Sequence, residues 1–194
     1  MLDRNSALRG MRVPGRFGGN AEEPGVTIEE IKEFSLLEIA LWDGESASLR
    51  SRLSELLNLQ ALPELGRAMT IGEGRLIRLA AGPLLYFGAA GPADILAAAV
   101  TPEEGSVVSL SHGRCCLRLG GPMAADLLKR GIRTDLREAA FPAGSAMASD
   151  IGGLGVLLIR NDAASFDLLL PRSRATVFWR WLTRRASAFG YDVL

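Results

Sequence analysis

Short apolar runs, separated by glycine, proline and charged residues, recur along the chain. Phe34 to Trp42 (FSLLEIALW) predicts a strand, closed by Asp43-Gly44. Ser46 to Leu59 carries Leu49, Leu53, Leu56 and Leu57 at i, i+4, i+7 and i+8, with Arg50, Arg52 and Glu55 off that stripe, which predicts an amphipathic helix. Pro63 to Met69 reads as a connector. Arg75 to Ala80 and Leu84 to Gly88 predict two strands joined at Gly82-Pro83. Pro92 opens an alanine-rich helix ending near Val100, since proline suits the first helical turn.

Ser106 to Leu119 reads as a strand pair, or as one long strand interrupted near His112-Gly113. Within it Cys115, Leu117 and Leu119 fall on one face, and Cys116 and Arg118 on the other. Gly121-Pro122 opens a helix that turns Leu127 and Leu128 inward, with Gly131 as its C-cap. Arg133 to Gly144 is a polar connector. Strands are expected at Ser145 to Ile151, Val156 to Arg160 and Phe166 to Leu170, the last two joined by a hairpin loop at Asn161 to Ser165. Ser173 is placed to cap a last helix to about Ala188, leaving Tyr191 to Leu194 as a terminal stub.

The order strand, helix, strand, strand, helix, strand runs twice, from Phe34 to Leu110 and from Arg114 to Leu194, the second time with an extra strand. Gly91-Pro92-Ala93-Asp94-Ile95-Leu96 is echoed by Gly121-Pro122 and Ala125-Asp126-Leu127-Leu128. The expected fold is α+β, with two ferredoxin-like (split βαβ) halves, mostly antiparallel sheets and helices packed on one face. Residues 1–33 are expected as an extended N-terminal arm, and residues 34–194 as one domain in two halves, 34–110 and 111–194.

Composition narrows the class. With 194 residues, 48% hydrophobic and 23% charged, the chain is in the range of globular domains and long enough to bury about 70% of its unfolded surface. Lys plus Arg and Asp plus Glu both number 22, which speaks against a strongly basic nucleic-acid binder. Only Lys32 and Lys129 are lysines, so the other 20 basic residues are arginines, suited to planar ion pairs and interfaces. Arg4, Arg9, Arg12 and Arg16 punctuate the N-terminal segment, which lacks the apolar core of a secretory signal. Leu79 to Ala93 is uncharged but shorter than a membrane span, so it predicts buried core. A cytoplasmic protein is expected, with no membrane or nucleic-acid partner.

Candidate chemistry is sparse. His112, Cys115 and Cys116 are the only His and Cys residues, too few for a four-ligand zinc site, and adjacent cysteines are expected to be reduced and packed. Gly152-Gly153-Leu154-Gly155 leads into a strand rather than a helix, so it reads as a turn and not a phosphate cradle. Ser111-His112-Gly113-Arg114 offers His112 as a base or as a contact residue, without an identifiable nucleophile beside it. The acid pairs Glu22-Glu23, Glu29-Glu30 and Glu103-Glu104 read as solvated, and Asp150, Asp162 and Asp167 as turn or edge residues. In the last helix Phe178, Trp181, Leu182 and Phe189 make one apolar stripe, while Trp179 projects away among arginines as an interface candidate. The partner-interface candidates are Arg12, Arg16, His112, Arg114, Arg172 and Trp179. No catalytic or metal residue is assigned.

Several of these pieces resemble the gamma subunit family of heterotetrameric sarcosine oxidase. They are Val108-Ser109-Leu110-Ser111-His112-Gly113-Arg114, Leu117-Arg118-Leu119-Gly120-Gly121-Pro122, Thr134-Asp135-Leu136, Ala140-Phe141-Pro142-Ala143-Gly144, and Phe166 to Ser173 with Trp179, Trp181 and Leu182. The resemblance runs from about Phe34 to Gly190 and is strongest from Ser106 onward. It implies a fold like the folate-binding aminomethyltransferase of glycine cleavage. It also implies a non-catalytic subunit of a flavin-dependent complex that demethylates sarcosine to glycine, with one-carbon transfer to tetrahydrofolate. FAD, FMN, NAD and tetrahydrofolate would then sit on larger flavoprotein subunits, with no cofactor on this chain. The small subunit of N-methylglutamate dehydrogenase resembles it too. A stand-alone folate or one-carbon binding protein, and self-association of the isolated chain, are the readings of a different class.

Overall fold

The computed structural model describes residues 5–19, 23–42, 47–80 and 83–194. In chain order the elements are β1 Gly15–Phe17, β2 Val26–Ile31, β3 Ser35–Leu41, α1 Ala47–Leu56, β4 Arg67–Ile71, β5 Gly74–Arg78, β6 Leu84–Gly88, α2 Ala90–Ala99, β7 Gly105–Ser109, β8 Arg114–Gly120, α3 Ala124–Lys129, β9 Ala146–Ile151, β10 Leu154–Arg160, β11 Phe166–Pro171, α4 Ala175–Ala186 and β12 Tyr191–Val193. Asp43-Gly44 and Gly82, expected at turns, lie outside the described residues. The chain divides into two compact units, Glu33–Ser111, and Met1–Lys32 with His112–Leu194.

The unit Glu33–Ser111 holds a five-stranded sheet in the order β4-β5-β6-β3-β7, every neighbouring pair antiparallel. Its strands β5, β6, β3 and β7, with α1 after β3 and α2 after β6, have the order of a split βαβ unit, and β4 is added beyond β5. Leu37, Ile39, Leu76, Leu84 and Tyr86 form its core with Leu49 and Leu53 of α1 and Ala93 and Leu96 of α2. Leu56 is exposed and Leu57 packs on the core instead, because α1 ends at Leu56 and the helical spacing stops there. The expected connector contains β4, paired with β5 across a turn that puts Gly72 at φ +52°. Its RAMTI sequence has weak alternation, and the hydrogen bonds of β5 rather than a buried face hold it as a strand.

The second unit holds a seven-stranded sheet in the order β1-β12-β2-β8-β11-β10-β9. Strands β8, β10, β11 and β12 repeat the split βαβ order, and β2 is inserted between β12 and β8, parallel to the first and antiparallel to the second. The N-terminal segment is therefore not an extended arm. Val26 and Ile28 of β2 are fully buried, and so is Leu8. β1 pairs with β12, stacking Phe17 on Tyr191 at 5.4 Å. The supposed terminal stub is the strand β12 that these pairings complete. One cause underlies both differences: β1, β2 and β12 find their partners far along the chain, and short strands carry little local signal.

His112-Gly113 does interrupt the stretch from Ser106 to Leu119, as a single 3₁₀ turn at Ser111–Gly113. It separates β7 of one sheet from β8 of the other, so the two are not a hairpin. The sequence echo does not mark the repeat. Its first copy lies in α2, the second helix of its unit, and its second copy in α3, the first helix of the other. Gly152-Gly153 is a tight turn between β9 and β10, with both residues at positive φ. Ser173 lies in a 3₁₀ turn and makes no side-chain cap; α4 starts after Arg174. Gly131 is not in the left-handed conformation of a C-cap. A Cβ there would lie 2.3 Å from Trp181 Cζ2, so the glycine makes room for the indole.

Among the described residues, no helix is long and apolar enough to cross a membrane.

Candidate functional site

The structure brings three of the six candidate residues together. Arg114 opens β8 opposite Pro171, the last residue of β11, and Arg172 follows at once in the turn before α4. His112 is exposed on the 3₁₀ turn preceding β8. An open depression of about 550 Å³ is lined by Ser6, Ala7, His112, Gly113, Arg172 and Ser173. Beside it lies a cavity of about 10 Å³, reached by Glu30, Lys32, Arg114, Cys115 and Arg172, which is room for one water at most.

Glu30 anchors this region. It ends the buried alternation Val26, Ile28, Glu30 of β2, so its carboxylate faces inward. Ser6 Oγ donates to Glu30 Oε2 at 2.6 Å, and Arg172 Nη2 donates to the Asn5 carbonyl, so residues 5–7 are tied down at both groups. Reading Glu29-Glu30 as a solvated pair is incorrect. Glu30 is buried, and Glu29 stands opposite Arg118 on β8. In sequence the apolar-polar alternation runs only from Val26 to Glu29 and breaks at Glu30, so the pattern alone does not turn this carboxylate inward. Glu104 is likewise bound rather than solvated, forming a two-pronged pair with Arg52 at 2.7 and 2.8 Å. Asp167 is not an edge residue but lies fully buried in β11 against Arg118.

The remaining candidates are placed elsewhere. Arg12 Nη1 donates to the Leu194 carbonyl. Arg16 Nε and Nη2 donate to the Asp192 carboxylate at 2.9 and 3.2 Å, and that pairing raises the Arg16 pKa. Both arginines thus hold the N-terminal segment onto the C-terminal strand. Trp179, expected to project from the surface, is 5% exposed and part of the core with Phe178 and Leu182. Thr183 Oγ1 donates to the Trp179 carbonyl at 2.9 Å. The helix stripe is wider than a narrow core seam, so Trp179 turns inward and the arginines around it cover only the outer face.

The depression is open and partly basic. Its walls present the basic Arg172 and the single His112, with serines and small residues and no Phe, Tyr or Trp. Cys115 and Cys116 are buried and unbonded to each other, on opposite faces of β8. Among the described residues no group of three or more His, Cys, Asp or Glu could hold a metal ion.

Comparison with known proteins adds the class. The fold is that of a two-sheet α+β protein similar to aminomethyltransferase T of the glycine cleavage system from Bartonella henselae, with a TM-score of 0.64 over 89% of this chain and 48% of that one, at 20% identity. Residues 94–188 match the sarcosine oxidase, gamma subunit family. Over those residues this chain is similar in sequence to sarcosine oxidase gamma subunits. It is 37% identical over 92 residues to the sarcosine oxidase subunit gamma of Arthrobacter sp., covering 46% of this chain and 45% of that protein. It is 34% identical over 97 residues to the subunit of the same name from Corynebacterium sp. (strain U-96), covering 50% and 47%. The sequence matches therefore span about half of the length of these relatives. The fold match runs further. A chain of the heterotetrameric sarcosine oxidase from Corynebacterium sp. U-96, solved with pyrrole 2-carboxylate, superposes with a TM-score of 0.77 over 87% of both chains at 26% identity.

Proposed function

We propose that this chain is a non-catalytic, gamma-type subunit of a heterotetrameric flavin-dependent sarcosine oxidase, located in the cytoplasm. The complex demethylates sarcosine oxidatively to glycine and passes the one-carbon unit to tetrahydrofolate. FAD, FMN, NAD and tetrahydrofolate sit on the larger flavoprotein subunits. The observation that carries this reading is the superposition with a chain of such an enzyme over 87% of both chains. The site is in keeping with it: the one histidine stands exposed on a turn and both cysteines are packed away, whereas an activated nucleophile needs a base and an orienting group around it. His112, Arg114 and Arg172 form the basic surface that meets the larger subunits, arginine being enriched where interfaces bind most tightly.

The test is purification of the tagged chain from its native cell, with the flavin spectrum, subunit masses and amine oxidation of the eluate recorded together. A yellow complex with larger chains that oxidises sarcosine supports the proposal. Oxidation of N-methylglutamate alone would move the chain to the related dehydrogenase. A colourless chain eluting alone and binding tetrahydrofolate would overturn the subunit reading in favour of a stand-alone folate-binding protein.

A further inference from the structure

The two sheets end in four edge strands, β1, β9, β4 and β7. An uncovered edge offers unpaired N–H and C=O groups, and proteins blunt such edges with charges, prolines or bulges. Three of the four carry a charge: Arg16 in β1, Asp150 in β9 and Arg67 in β4. Strand β7 reads Gly-Ser-Val-Val-Ser, with neither charge nor proline.

The hydrogen-bond phase shows which β7 groups face outward. Leu110 N–H donates to the Leu36 carbonyl and Trp42 N–H to the Glu104 carbonyl, so the even-numbered residues of β7 bond to β3. The backbone groups of Val107 and Ser109 then point away from the sheet. Next to this edge runs an open groove of about 610 Å³ between β7 and α2, walled by Leu37, Trp42, Ala97, Val100 and Val107 among others. The outer face of α2 is almost as free of charge as the strand. Ile95 is 55% exposed, Ala97 and Ala98 are exposed, and Asp94 is the one charged residue of the helix. Trp42 is 48% exposed, with its indole N–H donated to the Pro102 carbonyl at 2.8 Å, so its ring is held in place before any partner arrives. Asp94 in the groove wall and the exposed Glu103 beside Pro102 make the flank acidic.

We propose that this edge receives an extended segment of another polypeptide, which adds as a sixth strand beside β7. The segment is apolar at alternate positions, so that one row of side chains fills the groove between α2 and β7. It carries lysine or arginine where it passes Asp94 and Glu103. Main-chain hydrogen bonds supply the pairing and the groove reads the side chains. The inference uses residues remote in sequence from the His112 cluster and does not depend on the flavoprotein reading.

The test uses the full-length chain and a synthetic peptide in which valine alternates with threonine between lysine ends, added at millimolar concentration. Amide hydrogen exchange at Val107 and Ser109 should slow at least tenfold. A peptide with N-methylated backbone should have no effect. Ala97→Arg, at an exposed helical position, should fill the groove and restore fast exchange while circular dichroism stays native. Asp94→Lys should reverse the preference toward a glutamate-ended peptide. Absence of slowing, equal slowing by the methylated peptide, or insensitivity to both variants overturns the proposal. Protection that is already present without peptide and grows with protein concentration also overturns it, because a second copy then occupies the edge.

Discussion

Arg118 of β8 stands directly across from Asp167 of β11, and its guanidinium grips the carboxylate in two places, Nε to Oδ1 at 2.8 Å and Nη2 to Oδ2 at 3.0 Å. The carboxylate side chain is 0% exposed and the arginine 40%. Glu29 of β2 stands opposite the same arginine on its other side, so three adjacent strands carry one row of alternating charge. Pairing with Asp167, helped by Glu29, raises the Arg118 pKa despite partial burial. Removing one partner of a buried pair costs about 3–5 kcal/mol. Because water reaches Arg118, Arg118→Ala should fall at the lower end, about 3 kcal/mol. Asp167→Asn keeps the shape and should cost about 1–2 kcal/mol. Urea midpoints of the two variants check the order, and an equal loss would contradict it.

Arg160 is buried and donates to four backbone carbonyls. Nη1 reaches Leu136 at 3.0 Å and Phe141 at 2.8 Å, Nε reaches Asp162 at 2.9 Å, and Nη2 reaches Ala163 at 2.8 Å. One side chain thus holds both the connector 133–144 and the hairpin loop after β10. A lysine has one point of donation and no fork. Arg160→Lys should therefore cost about 3 kcal/mol by stranding several carbonyls. Limited proteolysis should find new cleavage within residues 133–144, and an unchanged digestion pattern would show that Leu136 and Phe141 anchor the connector unaided.

The indole of Trp181 lies where a side chain at residue 131 would be, 2.3 Å from the position of its Cβ, and packs on Phe178 at 5.6 Å between ring centroids. Gly131→Ala should destabilise the chain by about 1–3 kcal/mol through overpacking. Trp181→Leu shortens the obstacle, so the double variant should lose less than the sum of the two. Thermal melts of the four proteins close this cycle, and strict additivity would separate the two sites.

Asp135 accepts from Arg137 through both its side chain and its backbone, which holds the carboxyl at about 2. A carboxyl lowered on folding stabilises the fold above its unfolded value, near 4, and that contribution disappears as pH falls through about 2. Arg137→Ala should bring the titration back toward 4. A carbon-detected NMR titration reads the shift at this one residue, and an unmoved titration would assign the lowering to other groups.

The sequence by itself determined what local spacing can encode. Leu49 and Leu53 face inward from α1, Cys115, Leu117 and Leu119 share the core face of β8, and Gly152-Gly153 turns one strand back on the next. The α+β class and the strand-helix rhythm followed from the same periodicities. Only tertiary structure decided the fate of residues whose partners lie far away along the chain. β2 became an inner strand because β8 and β12 offered it two edges, and this buried Glu30 against Ser6. Trp179 turned into the core, where it packs with Phe178 and Leu182. Arg12 and Arg16 found the C-terminal strand rather than a free surface, since a guanidinium pairs with whichever acceptor the fold brings near. Spacing reports which side of an element a residue occupies, whereas long-range pairing decides what stands on that side.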